Sequence, residues 1–406
     1  MSLNNVQDRS WIKLLALFTL GTFIEAMLYG HLNAFTPLYL PKLGIAPEDI
    51  TRWTGLITSI SGIPGLLFLP FWGALADKFS RKPVIIRSFV VHVLVATSVI
   101  LAGNVWFFML GRALSGLALG NSGLMMTTLA ERSPESRRGF VFAIMNTATP
   151  IGVFAGPLLG GFIMDRWGFR TLMMIDALVL FILVIGMMLA YSDIFKPSDD
   201  RPILKMAVES IHIITDNPSL LSLFPALFML FAGWMLAMTY VPIAISKLYI
   251  GQNLASTVGI ILGAGGFVAI ILGPLLGSLA DRYGQWRVLF IGATIQIFLW
   301  PILALVPGLA SFGVAYAIVN GIGSGVFAIS FSVIASSTTS NVRGRVMSFA
   351  FLPVNIGVFL GPLIGSIVTH NTVFAAFPTA AILTTLGLGL LAFAYKNKLA
   401  ATAETP

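Results

Sequence analysis

The chain reads as long apolar runs interrupted at short intervals by charge, proline or glycine. A helix rising about 1.5 Å per residue needs about 20 apolar residues to cross hydrocarbon. Twelve such runs occur, at 12–40, 53–76, 83–103, 105–130, 139–164, 170–192, 219–246, 255–280, 287–307, 310–337, 345–369 and 373–395. The predicted fold class is therefore all-α and integral to the membrane, with twelve transmembrane helices. The first run continues past Leu28 without a small-residue cleavage site, so it is expected to be a retained helix. The longest polar interval, Asp193 to Pro218, divides the chain into 1–192, a linker 193–218 and 219–406. In that interval Ile203, Ala207, Ile211 and Ile214 share one helical face, as in a helix lying on the inner leaflet. A partly ordered linker is the alternative.

The two parts repeat each other at a separation of roughly 205 residues. Gly73-Ala-Leu-Ala-Asp77-Lys-Phe-Ser-Arg81 is echoed by Gly277-Ser-Leu-Ala-Asp281-Arg-Tyr-Gly-Gln285, and Gly152-Val-Phe-Ala-Gly156-Pro157-Leu-Leu-Gly160-Gly161 by Gly357-Val-Phe-Leu-Gly361-Pro362-Leu-Ile-Gly365-Ser366. The expectation is two six-helix bundles related by a pseudo-two-fold repeat. That is a transporter architecture, with a substrate site near the midplane where the halves meet and alternating access by rocking.

Composition narrows the classes further. Of 406 residues, 57% are hydrophobic and 10% charged, against about 25% charged in soluble domains. Charges this sparse could not cover a water-soluble surface, which excludes soluble enzymes and nucleic-acid-binding modules. The net charge of +8 is a topology signal instead. With both termini placed in the cytoplasm, eighteen of the 24 Lys and Arg residues fall on the inner side and five on the outer, with Arg112 inside the membrane. The expected location is the cell inner (cytoplasmic) membrane. Cysteine is absent, which removes disulfides and thiolate metal sites, and no metal or cofactor is expected.

With these residues in place the chain resembles the major facilitator superfamily over nearly its whole length. The loop after span two resembles that family's signature at Gly73, Leu75, Asp77, Lys78, Arg81 and Lys82, with Ser80 where the family has glycine. The run Gly152, Gly156, Pro157, Gly160, Gly161 and the run Arg112-Ala-Leu-Ser-Gly116-Leu-Ala-Leu-Gly120 resemble motifs of its drug:proton antiporter branch. The signature carboxylate Asp77 can accept from a neighbouring helix N-terminus or pair with Arg138, holding the cytoplasmic side closed. Asp281 with Arg343 or Arg345 would be its counterpart. The glycine runs let backbones approach closely, and Pro157 and Pro362 allow a bend.

An ionisable group at membrane depth is a functional candidate, because burying it is costly unless it is paired or wetted. Glu25, His92, Arg112 and Asp176 fall within spans of the first half, with His31 further out in span one; spans seven to twelve carry no charge near their centres. Spans one and four both face the central cavity in this fold, so Glu25 and Arg112 are expected to meet, with Glu25 as proton carrier. The resemblance supports this, since several drug:proton antiporters use a first-helix acid with the span-four arginine. A static packing pair is the alternative. Asp176 is a further coupling candidate, or a residue at the outer water boundary. Arg87 is expected to snorkel to the headgroups.

For substrate, Asn33, Asn146, Phe231, Trp234, Tyr240, Gln296, Asn320 and Asn355 are the tentative cavity residues, with Phe228 and Trp300 as further aromatics. An acid facing aromatic rings suits an amphipathic, often cationic molecule. The expected function is a proton-coupled antiporter exporting small amphipathic or cationic compounds, acting as a monomer in the lipid bilayer with no nucleic-acid partner. An exporter or symporter of a sugar or small metabolite is the alternative; against an anionic substrate, Arg112 is alone within the spans. A membrane enzyme is disfavoured by the lack of H-E-x-x-H or paired intramembrane aspartates, and an ATP-driven pump by the lack of G-x-x-x-x-G-K-[ST].

Overall fold

The computed structural model describes residues 10–78, 80–193, 218–337 and 352–403. Among them all regular structure is helical. The helices are α1 (Ser10–Tyr39), α2 (Ile50–Lys78), α3 (Arg81–Leu101), α4 (Val105–Ala113), α5 (Asn121–Arg132), α6 (Arg138–Trp167), α7 (Phe169–Ala190), α8 (Pro218–Leu248), α9 (Leu254–Tyr283), α10 (Gln285–Leu305), α11 (Leu309–Ser336), α12 (Leu352–Val368) and α13 (Ala376–Ala403). Helix is the one open-ended structure that satisfies every backbone group inside its own segment, as hydrocarbon demands. Among the described residues nine helices are long and apolar enough to cross a membrane, and Leu352–Val368 is a shorter apolar one. The surface helix expected at Ile203–Ile214 lies outside the described residues.

The fourth apolar run departs from the expected continuous helix. Its α4 ends at Ala113, a 3-10 turn covers Leu114–Ala118, Leu119 is extended (φ −62°, ψ 157°), and Gly120 takes φ +98° before α5 begins. A side chain at Gly120 would strain that left-handed backbone and would also stand 3.0 Å from the Trp72 Cβ.

Because lipid is as apolar as a leucine side chain, helices in a membrane associate through close packing of small residues. The glycine runs do this in parallel fashion in the two halves of the chain. Gly152, Gly156 and Gly160 of α6 lie on Phe23, Met27 and His31 of α1, while Gly357, Gly361 and Gly365 of α12 lie on Phe231, Ala232 and Tyr240 of α8. A Cβ at Gly156 would come within 2.8 Å of the Met27 carbonyl oxygen, and one at Gly361 within 2.5 Å of that of Ala232.

The same helices meet across the repeat. Helix α6 packs along α9, and α2 along α12. Gly161 faces the backbone of Ala255 and Ser256, Gly259 faces the Pro157 carbonyl, Gly266 faces Phe154, and Gly62 faces Phe359. These contacts run from the end of the molecule poor in basic residues to the level of Phe154 and Phe267, whose rings lie 6.4 Å apart. Toward the basic-rich end Phe140, Asn146 and Thr147 of α6 and Leu275, Ser278 and Leu279 of α9 are exposed.

Candidate functional site

Three polar groups of helix α1, Glu25, His31 and Asn33, each meet their own partners. Glu25 accepts a hydrogen bond from Asn121 Nδ2 at 2.7 Å, and its other oxygen lies 3.8 Å from His92 Nε2. Asn33 accepts from Arg112 Nη2 at 3.2 Å. His31 Nδ1 is 2.8 Å from Asp176 Oδ2, and His31 Nε2 is 2.9 Å from the Gly156 carbonyl.

The expected Glu25–Arg112 pair is therefore not formed, and helix register explains why. Arg112 is level with Asn33, eight residues beyond Glu25 and so about 12 Å further along α1 at the helical rise. Nine residues after Arg112, on the far side of the break, Asn121 reaches the depth of Glu25 instead. The Glu25 side chain keeps 19% of its surface open. Arg112 is 2% exposed and its Nε has no partner among the described residues.

Asp176 is buried inside the bundle rather than open to solvent. It is 7% exposed, and with His31 and the Gly156 carbonyl it joins α1, α6 and α7. One imidazole nitrogen meets the Asp176 carboxyl and the other the Gly156 carbonyl, so both polar edges of the ring are occupied. Arg87 likewise departs from expectation. It turns inward, its guanidinium 3.4 Å from the centroid of Trp72, and donates to the Leu119 carbonyl at 2.7 Å. Arg87 thus joins Arg112 as a guanidinium turned into the first half.

At the basic-rich end, Arg81 makes a two-pronged pair with Glu131 at 2.6 and 2.9 Å, and its backbone N–H donates to Asp193. Ser80 donates to Asp193, Lys82 to the Met188 carbonyl, and Arg132 to the Ser192 carbonyl. These bonds tie the signature loop to α5 and to the end of α7 within the same half. Arg138 donates to the Ala130 carbonyl and to Glu135. The surroundings of Gly73 and the side chain of Asp77 lie outside the described residues, as do Arg343 and Arg345; Asp281 is exposed at the end of α9.

Among the tentative cavity residues, Tyr240 and Asn320 are spent on helix contacts, donating to the Pro362 carbonyl at 3.1 Å and the Gly265 carbonyl at 3.0 Å. Phe231 and Trp234 gather on Phe327, at 5.4 and 5.6 Å between ring centroids. Trp234 and Gln296 both border Gly323. Trp300 is fully buried, Asn355 is half-buried and Asn146 is exposed.

Two contributors were absent from the sequence reading. Asn121 follows Gly120 inside an apolar run, 105–130, that gives no sign of a helix break. Asp165 accepts from the backbone N–H groups of Ala255 and Ser256 at 3.0 and 2.7 Å, placing a carboxylate on the first turn of α9. Its place among the charges near the α6–α7 turn gave no sign of that partner.

The family model for the Major Facilitator Superfamily matches residues 18–306 and 223–405. Curated relatives include Multidrug resistance protein MdtG of Klebsiella pneumoniae (strain 342), 29% identical over 376 residues that cover 90% of this chain and 89% of the relative. The MdtG of Proteus mirabilis (strain HI4320) is 28% identical over 386 residues, covering 93% and 94%. Among solved structures, a point mutant of the nucleoside transporter NupG superposes with a TM-score of 0.73 at 15% identity, covering 95% of this chain and 99% of that one. A bacterial homolog of the human lysosomal transporter Spinster, in an inward-facing and unoccupied conformation, superposes with a TM-score of 0.72 at 14% identity, covering 97% of each. The chain belongs to the major facilitator superfamily and is a membrane transporter, not an enzyme.

Proposed function

We propose that the protein is a proton-coupled antiporter that exports small amphipathic or cationic compounds by alternating access, with Glu25 carrying the proton. The observation behind this reading is the setting of Glu25: a carboxyl among α1, α3 and α5, held by a neutral amide and open over part of its surface. An acid so placed can gain or lose its proton as access changes, because burial and neighbouring charge act on it in opposite directions. The names of the MdtG relatives agree with the choice of substrate class.

The reading includes twelve spans in two six-helix bundles, 1–192 and 219–406, with both termini in the cytoplasm of the cell that holds it in its inner membrane. The packing of α6 on α9 and α2 on α12 at the basic-poor end then corresponds to a state closed outside and open inside. Arg112 and the His31–Asp176 pair serve as polar supports of α1. Asn33, Asn146, Phe231, Trp234, Gln296 and Asn355 remain the substrate-facing candidates.

A second reading, an exporter or symporter of a small metabolite, draws on the two inward guanidinium groups, Arg87 and Arg112, which suit a polar or anionic cargo. Proton movement in liposomes containing the purified protein separates the two. Antiport predicts proton release on adding tetraphenylphosphonium to the wild type, and its loss in Glu25→Gln. Cotransport of protons with substrate in one direction would overturn the export reading.

A further inference from the structure

The break in the fourth apolar run is gripped from two sides. On one side Arg87 of α3 donates to the carbonyl of Leu119, the last residue before Gly120. Such a carbonyl has lost its helical partner, and in hydrocarbon it needs another donor; a guanidinium supplies a charge-assisted one. The same guanidinium lies on the Trp72 ring of α2, and Gly120 lies against Trp72 as well, so ring, charge and break form one stack. On the other side Glu25 of α1 receives the amide of Asn121, the first residue of α5, whose helical N-terminus favours negative charge. Only Gly120 therefore separates the backbone held by the cation from the side chain held by the acid. The Nε and Nη1 atoms of Arg87 are buried without a hydrogen-bond partner among the described residues, which leaves its charge uncompensated except through space.

We propose that Arg87 is a positioning residue for coupling: with Glu25 it clasps the break, so that the charge on Glu25 sets the angle between α5 and the α4 segment that carries Arg112. This rests on the reading of Glu25 as proton carrier. The groups that touch Glu25 are His92 of α3 and Asn121 of α5, and Arg87 lies five residues before His92 on the same helix. Arg112 and the His31–Asp176 pair act further along α1. When Glu25 is ionised, its carboxylate attracts both Arg87 and the start of α5, and the clasp is closed. A proton on Glu25 removes the charge that attracts Arg87 and the start of α5, while the Asn121 amide can still donate to the neutral carboxyl oxygen and Arg87 stays on Leu119. The clasp then slackens, and α5 gains freedom to swing about Gly120.

The test uses the full-length protein in proteoliposomes. Because the described chain holds no cysteine, Leu110→Cys and Thr127→Cys, both at exposed positions, place spin labels on either side of the break. In the wild type the label separation should change with pH over the range in which tetraphenylphosphonium drives proton release. Arg87→Gln should shift the pH midpoint of release upward by about one unit, since a cation no longer favours the carboxylate, and should abolish the pH-dependent change in separation. Arg87→Lys should restore the midpoint but broaden the separations, because an ammonium keeps the charge without the planar stack. If Arg87→Gln does not fold, unbroadened separations in Arg87→Lys would overturn the proposal. A wild-type midpoint and wild-type separations in Arg87→Gln, with release lost in Glu25→Gln, would overturn it while leaving Glu25 as carrier. Release retained in Glu25→Gln would sink the carrier reading itself.

Discussion

His31 and Asp176 form a buried pair at 2.8 Å that sits on the glycine run of α6, since the far nitrogen of the imidazole is 2.9 Å from the Gly156 carbonyl. Gly160 lies over the same ring, and a Cβ there would come within 2.5 Å of it. One side chain of α1 thus holds α7 through an acid and α6 through a carbonyl.

Removing one member should destabilise far more than removing both. Asp176→Leu or His31→Leu leaves a polar group stranded in a dry site, and breaking a buried pair typically costs about 3–5 kcal/mol. The double variant His31→Leu/Asp176→Leu should recover most of that loss. Chemical denaturation in detergent, carried out on the two single variants and the double, measures the coupling. Additive losses would show that the pair is not a unit.

Asp165 should bias the transporter toward the state closed at its basic-poor end. Its carboxylate takes two N–H groups at the start of α9, an arrangement worth about 1–2 kcal/mol. Asp165→Ala should therefore raise the population open at that end by about five- to thirtyfold. The labelling rate of Ser256→Cys by a membrane-impermeant maleimide reports this, because Ser256 is 8% exposed in the closed seam. An unchanged rate would mean the bond adds nothing to closure.

At Gly259 an added methyl group would press on the Pro157 carbonyl, and at Gly161 on the backbone of Ala255. Gly259→Ala and Gly161→Ala should reduce transport by at least about tenfold while leaving helix content unchanged, since the cost falls on closure and each 1.4 kcal/mol is a factor of ten. Gly389→Ala is the control: nothing lies within 4 Å of a Cβ there. Transport assays paired with circular dichroism separate a closure defect from misfolding.

Glu25→Gln should leave stability nearly unchanged. Its bond partner is an amide, which a glutamine oxygen can still accept from. Denaturation midpoints matching the wild type, together with lost proton release, would assign the defect to chemistry. A large drop in stability would mark Glu25 as a packing residue instead.

Much of the helical layout was readable from run length alone. The expected limits 83–103 and 287–307 fall two residues from the observed Arg81–Leu101 and Gln285–Leu305, because charge and proline mark where hydrocarbon ends. The packing role of Gly152, Gly156 and Gly160 was also readable, as only small residues permit such approach. What escaped was register and direction. Nothing in the order of residues fixes which α4 or α5 side chain lies level with Glu25, since a break of a few residues changes the depth of everything after it. Arg87 lies near an expected membrane boundary, where outward and inward rotamers look alike until Trp72 and the Leu119 carbonyl are placed around it. Tyr240 and Asn320 looked like cavity lining because a polar group in a span can serve a ligand or a neighbouring carbonyl equally well.

At Gly161 and Gly259 the seam is main chain against main chain. A joint of interlocking side chains must freeze several rotamers at every closure and release them at every opening, whereas glycine has none to freeze. The two halves can therefore part and rejoin along this line with little entropic difference between the states, which leaves the direction of each half-cycle to whatever occupies the charged groups on the other side of α1.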